Sequence, residues 1–389
     1  MSRIDELIQD LCPDGVEFKP LGELLDYEQP AKYLVSSARY DDSHKTPVLT
    51  AGQKFILGYT DETEGIYSAS SVDPVVIFDD FTTAFKWVEF RFKVKSSAMK
   101  MLSCRLGAGV SLRFVWYAMQ TIAYRPQDHA RQWIGTYSKF RIPVPPLDVQ
   151  REIVRILDQF TQLEAELEAE LEARRRQYDH YRHEAFSFSP DAGIRWSTLG
   201  AISSHVSSGG TPSSGRDDYY GGGIPWVRTQ EVDFGYITST GRSITDAGLA
   251  NSSAKWIPAN CVIVAMYGAT AAKVAINSIP VTTNQACCNL DIDPNQADFR
   301  FVFHWISREY GRLKSLGEGS QSNLNSKKVK EYRVPVPSLE DQRRIVALLD
   351  NFDTLVNDLS IGIPAELAAR RRQYEHYRDR LLTFKELAA

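Results

Sequence analysis

Two short stretches carry side chains that suit the edges of nucleic-acid bases. Ser208-Gly209-Gly210-Thr211-Pro212-Ser213 is a flexible, hydroxyl-rich loop. Gly319-Ser320-Gln321-Ser322-Asn323-Leu324-Asn325 is amide-rich, and Lys327, Lys328, Lys330 and Arg333 follow it. Carboxamides suit bidentate contact with adenine, whereas ammonium and guanidinium groups suit guanine or phosphate. One such loop alone is usually a plain turn; recurrence beside basic residues favours the nucleic-acid reading. Other candidate chemistry is weaker. His180 and His183 lie three apart on an expected helix, yet no third metal ligand is apparent, so hydrogen bonding or partner contact is expected. Asp79-Asp80 reads as a strand-end turn. Pro13-Asp14 with Glu17-Phe18-Lys19 mimics fragments of a nuclease motif, but two residues between the carboxylates leave no room for the strands that would join them on a metal. No phosphate loop, dinucleotide fingerprint or nucleophile elbow is present.

The elements that must position these loops come from an internal repeat. Residues 141–163 (RIPVPPLDVQREIVRILDQFTQL) and 333–355 (RVPVPSLEDQRRIVALLDNFDTL) are identical at 13 of 23 positions. Ala173–Arg182 (ARRRQYDHYR) and Ala369–Arg378 (ARRRQYEHYR) match at nine of ten. The plan is variable region, repeat, variable region, repeat, with units near 12–186 and 190–385. Ile153, Leu157, Phe160, Leu163, Leu167 and Leu171 recur at spacings of three and four, and Asp148 suits a helix N-terminus. This predicts a helix over about 148–186, roughly 58 Å long. The second copy carries Ile345, Leu348, Leu349, Phe352, Leu355, Leu359 and Ile363, and Gly362 and Pro364 predict a break in it. Neither stripe is stable exposed, so the two copies are expected to pack as an antiparallel coiled coil. A plain spacer hairpin would need only the apolar stripes. Arg174, Arg175, Gln177, Tyr178 and Tyr181, repeated as Arg370, Arg371, Gln373, Tyr374 and Tyr377, point instead to two equal partner surfaces.

The variable regions, residues 12–140 and 189–332, hold short β-type runs: Pro74–Phe78, Trp87–Val94, Cys261–Met266 and Lys273–Ile276. Each ends in an expected helix, Ser111–Met119 and Asp298–Glu309. The fold class is α+β: two mixed α/β domains joined by two long conserved helices, with a pseudo-twofold internal repeat. Expected boundaries are 1–143, 144–188, 189–335 and 336–389. The 389 residues contain 43% apolar and 24% charged side chains, as in globular proteins. No run of about 18 apolar residues offers a membrane span, and the charged start Met1–Glu6 does not read as a signal peptide. Five cysteines (Cys12, Cys104, Cys261, Cys287, Cys288), never spaced C-x-x-C, suggest neither a disulfide framework nor a structural zinc, and a cytoplasmic setting fits. The net charge of −4, from 45 basic and 49 acidic residues, means that basic groups must be local or supplied by partners.

Two variable domains alternating with two repeated helices resemble the DNA specificity subunits of type I restriction–modification systems. The most specific marks are the repeated stretches Arg141–Phe160 and Arg333–Phe352. Gly209-Gly210-Thr211-Pro212 with Ile224-Pro225-Trp226-Val227, and the 319–325 loop, follow closely. Leu49-Thr50-Ala51-Gly52-Gln53 and Ile77-Phe78-Asp79-Asp80-Phe81-Thr82 are similar to motifs of the first variable domain. Ala130–Lys139 departs from the pattern and lacks the amide-rich loop. The resemblance implies target recognition domains that each read one half of a split site. It implies two modification subunits that carry S-adenosylmethionine and methylate adenine N6, and, where restriction subunits are present, ATP- and Mg-dependent translocation and cleavage. This chain would supply specificity with no cofactor, metal site or catalysis of its own. With side-chain chemistry, the resemblance marks Thr50, Gly52, Gln53, Lys54, Asp80, Thr82 and Lys86 as DNA contacts in the first half. In the second it marks Gly210, Thr211, Ser213, Arg216, Arg228, Thr229, Gln230, Tyr267, Lys273, Asn284, Gln285, Ser320, Gln321, Asn323, Asn325, Lys327 and Lys328.

Two other readings remain at this stage: a coiled-coil scaffold whose globular domains bind proteins, and a stand-alone DNA-modifying enzyme. The basic and amide-rich loops weigh against the first, and missing cofactor motifs against the second. One prediction follows from the sequence alone. Leu163-Glu164-Ala165-Glu166 is repeated as Leu167-Glu168-Ala169-Glu170. Deleting one unit shortens the helix by roughly 6 Å, against about 3.4 Å per base along DNA. The gap between half-sites should shrink by one or two base pairs with the half-sites unchanged; a deletion mutant that methylates at the original gap would refute the ruler.

Overall fold

The computed structural model describes residues 2–52, 54–188, 193–317, 323–358 and 360–387. It divides into two compact units, Met1–Glu168 with Leu367–Ala389, and Ala169–Glu366.

Along the first unit run α1 (Arg3–Leu11), β1 (Glu17–Pro20), α2 (Leu21–Leu24), β2 (Leu25–Glu28), β3 (Thr46–Leu49), β4 (Ile56–Thr60), β5 (Val75–Asp79), β6 (Phe85–Val88), β7 (Lys93–Val94), β8 (Met99–Cys104), α3 (Leu112–Met119), α4 (Gln132–Gly135), β9 (Arg141–Val144) and the start of α5 (Leu147–Ala185). The sheets have orders β2-β8-β5-β6, β4-β3-β7 and β1-β9. β5 is apolar from Val75 to Phe78 because both its faces are covered there. Successive strand residues point oppositely, so Val76 and Phe78 join a core with Phe114, Trp133 and Ile153, while Val75 and Ile77 join Phe92 and Met101. The expected run Trp87–Val94 is split between β6 and β7. Lys93 is buried, bound to Glu62 at 2.8 Å and to the Glu64 carbonyl at 2.7 Å, where β7 turns to pair parallel with β3.

The second unit adds β10 (Arg195–Thr198), β11 (Ser203–Ser208), β12 (Tyr220–Val227), β13 (Tyr236–Ile237), β14 (Ser243–Ile244), α6 (Asp246–Ala250), β15 (Trp256–Ile257), β16 (Val262–Ala265), β17 (Val274–Asn277), β18 (Val281–Thr283), β19 (Cys287–Ile292), α7 (Phe299–Arg308), α8 (Tyr310–Ser315), α9 (Ser326–Glu331), β20 (Arg333–Val336) and α10 (Leu339–Asn357). Its sheets have orders β11-β19-β16-β17-β13, β14-β12-β18-β15 and β10-β20. The final helix α11 (Ile363–Leu381) follows the expected break. Gly362 is required there, since a Cβ would lie 2.5 Å from the Thr354 carbonyl oxygen.

The repeated helices pair within each unit. In the first, Phe160 of α5 stacks on Tyr377 of α11 at 5.4 Å, and Arg371 binds Glu164 at 2.6 Å and Glu168 at 2.5 Å. Ascending positions on α5 meet descending ones on α11, so the pairing is antiparallel. In the second unit Tyr178 and Tyr181 stack on Phe352 of α10 at 6.3 and 5.2 Å. Tyr374 donates to Gln120 at 2.7 Å. Tyr178 and Tyr374, at the same point of the two copies, each combine ring packing with a hydroxyl hydrogen bond inside their own unit, which leaves them less free for a partner than expected, whereas Tyr377 is 36% exposed. Arg175 and Gln373 remain exposed, and Arg174 and Gln177 bond to each other at 3.0 Å. Arg370 is half-buried and lies 3.2 Å from Gln373.

Each repeat also grips its variable domain. Gln150, fully buried, accepts from the Ser111 amide at 3.0 Å and donates to the Gly109 and Pro145 carbonyls at 3.0 and 2.8 Å. Gln342, equally buried, accepts from the Asp298 amide at 2.8 Å and donates to Gln296 and Pro337 at 3.3 and 3.0 Å. About two helical turns on, Asp158 takes Arg113 at 2.7 Å and the Tyr117 hydroxyl at 2.6 Å. Its counterpart Asp350 takes Arg300 at 2.7 Å, with His304 Nε2 at 2.8 Å.

Asp80 and Lys100 form a buried ion pair at 3.0 Å, each only 1% exposed. Removing one partner of such a pair leaves an uncompensated charge. Lys100→Met should cost about 3–5 kcal/mol of stability, read by denaturant unfolding of the full chain. Lys86→Met, at an exposed site, should stay within about 0.5 kcal/mol; equal losses would contradict this account.

Candidate nucleic-acid interface

Four backbone hydrogen bonds recur in the two units and gather the same loops at one sheet end. In the first unit Val35 N bonds Val94 O at 2.9 Å, Lys95 N bonds Leu49 O at 3.1 Å, Asp80 N bonds Ala98 O at 2.9 Å, and Gln132 N bonds Asp80 O at 2.8 Å. In the second unit Gly210 N bonds Thr283 O at 2.9 Å, Asn284 N bonds Val227 O at 2.9 Å, Met266 N bonds Ala286 O at 2.8 Å, and Leu324 N bonds Met266 O at 2.8 Å. The parallel pairs β3–β7 and β12–β18 underlie both sets, since parallel strands end on the same side. Val35, Leu49, Asp80, Val94 and Gln132 therefore correspond to Gly210, Val227, Met266, Thr283 and Leu324.

This frame brings most candidate residues of each half together. In the second unit the 210–213 loop, Arg228–Gln230, Tyr267, Asn284–Gln285 and Asn323–Asn325 all leave its hydrogen-bonded positions. In the first, Thr50–Lys54 follows Leu49, and Phe81-Thr82 follows Asp80. The hairpin tips carry equivalent exposed aromatics, Phe81 at 40% and Tyr267 at 41%. Sequence reading marked Tyr267 alone; Phe81 becomes legible only once Asp80 is matched to Met266. Both tips are held from below. Asp79 Oδ1 accepts from the Phe81 and Thr82 amides at 2.9 and 2.8 Å, and Asn323 Oδ1 accepts from Gly268 N at 3.2 Å.

A model of the type I restriction modification DNA specificity domain matches residues 134–173 and 197–369. The specificity subunit of the Escherichia coli type I restriction enzyme EcoR124I/EcoR124II is 42% identical to this chain, over 99% of it and 97% of that protein. The chain belongs to the type I restriction–modification specificity-subunit family. Solved structures agree on the fold. The S subunit from M. genitalium superposes with a TM-score of 0.61 at 16% identity, covering 95% of this chain and 96% of that one. A chain from a study of complex assembly and conformational transition in the type I R-M system gives 0.52 at 17% identity, covering 95% and 98%.

The specificity-subunit frame sorts the remaining candidates by what they touch. Asp80 is corrected: its carboxylate is buried, paired with Lys100 and bonded to the Trp133 amide at 2.7 Å, so it supports the tip from inside. Lys54, Thr82, Lys86 and Gln230 are exposed, and Thr50 and Thr229 are half-buried. Thr50 Oγ1 accepts from Gly52 N at 3.2 Å. Gly210 is buried and must be glycine, since a Cβ there would lie 2.3 Å from Ala254 N, and its carbonyl takes the Trp226 indole at 3.0 Å. Thr211 bonds Gln285, fixing two exposed polar side chains side by side. Ser213 is exposed, and its carbonyl takes the Arg216 amide at 3.1 Å. Arg216 grips Asp218 by two bonds of 2.8 Å, Lys273 binds Asp233 at 2.5 Å, and Arg228 lies 3.9 Å from Glu231. Asn284 bonds the Ala286 amide at 3.1 Å, and Asn325 caps α9 through the Lys328 amide at 2.9 Å. Lys328 reaches the Leu316 carbonyl at 2.8 Å, and Lys327 lies 3.9 Å from Glu331. Gln53, Ser320 and Gln321 lie outside the described residues. Among the described residues no group of three or more His, Cys, Asp or Glu is placed to hold a metal, and no helix is long and apolar enough to cross a membrane.

Proposed function

We propose that this chain reads a bipartite double-stranded DNA target and delivers two modification subunits to it. The observation that carries the reading is the duplicated frame: the same four hydrogen bonds present two sets of polar loops and two exposed aromatic tips. On this reading residues 1–143 and 189–335 are target recognition domains, and 144–188 and 336–389 are the helical spacers. Each domain takes one half-site. The exposed Gln230, Gln285 and Thr211 are placed for base edges, while Lys54, Lys86 and Lys327 serve phosphates. Arg174, Arg175, Gln177, Arg370, Arg371 and Gln373 remain candidate partner contacts at the equivalent helix ends.

The chain itself is non-catalytic in this account. Adenine N6 methylation, with S-adenosylmethionine, belongs to the modification subunits. ATP, Mg and cleavage belong to restriction subunits where the system has them. The site of action is the cytoplasm. The net charge of −4 suits a subunit whose partners share the phosphate contacts.

The tips supply the test. An aromatic ring can pack on a thymine methyl or an exposed base face. Tyr267→Ala should lower binding of the assembled complex roughly tenfold and relax one half-site, whereas Phe81→Ala should relax the other. Competition binding with duplexes mutated in one half-site at a time reads both effects. Loss of the same base preference in both variants would contradict one domain per half-site.

A further inference from the structure

We propose that Arg131 is a base-reading residue of the first unit, beside the Phe81 tip, and that it recognises a guanine in that unit's half-site. The inference deepens the proposed function and rests on it. The sequence offers no amide-rich loop before α4, yet the structure has a segment in its place. Gln132 N bonds Asp80 O as Leu324 N bonds Met266 O, which sets Arg131 at the position of Asn323.

The segment is built around one buried side chain. Gln132 is 3% exposed. Its carbonyl oxygen accepts from the Tyr124 hydroxyl at 2.7 Å, and its amide nitrogen donates to Asp128 Oδ1 and to the Ala130 carbonyl, each at 2.9 Å. Asp128 Oδ1 also accepts from Ala130 N at 3.1 Å. Arg131 thus lies between two anchored residues, and the Asp128 carboxylate three residues back is already bound by amides. Its guanidinium is exposed and has no hydrogen-bond or ion-pair partner among the described residues; the same holds for Arg125 and His129. That contrasts with Arg216, Arg228 and Lys273, each turned toward an acid in its own unit. A free guanidinium on a fixed backbone beside the Phe81 tip suits the N7 and O6 acceptors of guanine in the major groove. Arg125, on the approach to this segment, suits a flanking phosphate.

The test uses the full chain assembled with its modification subunit, and duplexes carrying single-base changes across both half-sites. Arg131→Ala should reduce discrimination roughly ten- to hundredfold at one guanine of one half-site, with the other half-site unchanged and the salt dependence preserved. Arg131→Lys should restore part of it. Intact discrimination at the other half-site shows in the same measurement that the variant is folded. A uniform loss across all sequences with a shallower salt slope would make Arg131 a phosphate contact and overturn the proposal. No change at either half-site would also overturn it. A wild-type complex that prefers no sequence would instead defeat the proposed function, and this inference with it.

Discussion

The structure depends on a carboxamide buried where a helix begins. Gln150 and Gln342 each satisfy one amide and one carbonyl of the variable domain and one carbonyl at the helix entry. A buried amide with all three bonds made is costly to replace, because any apolar substitute orphans backbone groups. The same residue therefore ties each variable region to the helix that follows it. The Asp158 and Asp350 clusters repeat the grip about two turns later. A protein that changes its recognition loops must keep these sockets, because they hold the loops in register with the helix.

That division of labour accounts for the sequence pattern. The repeated blocks carry the proline turn, the glutamine and the aspartate, all of which touch either variable domain in the same way. The variable domains share a frame made of backbone bonds, which place no demand on side-chain identity. Recognition residues can diverge while the hairpin tip and the turns beside it stay where they are. Equivalent positions hold phenylalanine and tyrosine at the tips, and arginine and asparagine at the edge.

The fold was largely legible beforehand. The 3.6-residue stripe located α5 to within a residue or two, and Gly362 with Pro364 marked the break before α11. Strands β5, β16 and β17 and helices α3 and α7 fell where apolar runs indicated. The site was less legible. Loop residues were marked by type, but type does not reveal which charges an adjacent acid has already claimed, as at Arg216 and Lys273. Asp80 looked like a surface turn because its partner Lys100 is distant in sequence. The equivalence of Gln132 with Leu324 lies in a backbone bond and leaves no trace in residue identity.

The central claim is that this chain alone chooses where its complex acts. The most direct measurement is a genome-wide map of N6-methyladenine in cells carrying the cognate modification subunit, with and without the chain. The account predicts a split motif, two short half-sites around a fixed gap, that is methylated only when the chain is present. Methylation of that motif in its absence would contradict the account, as would a chain-dependent motif with one continuous site.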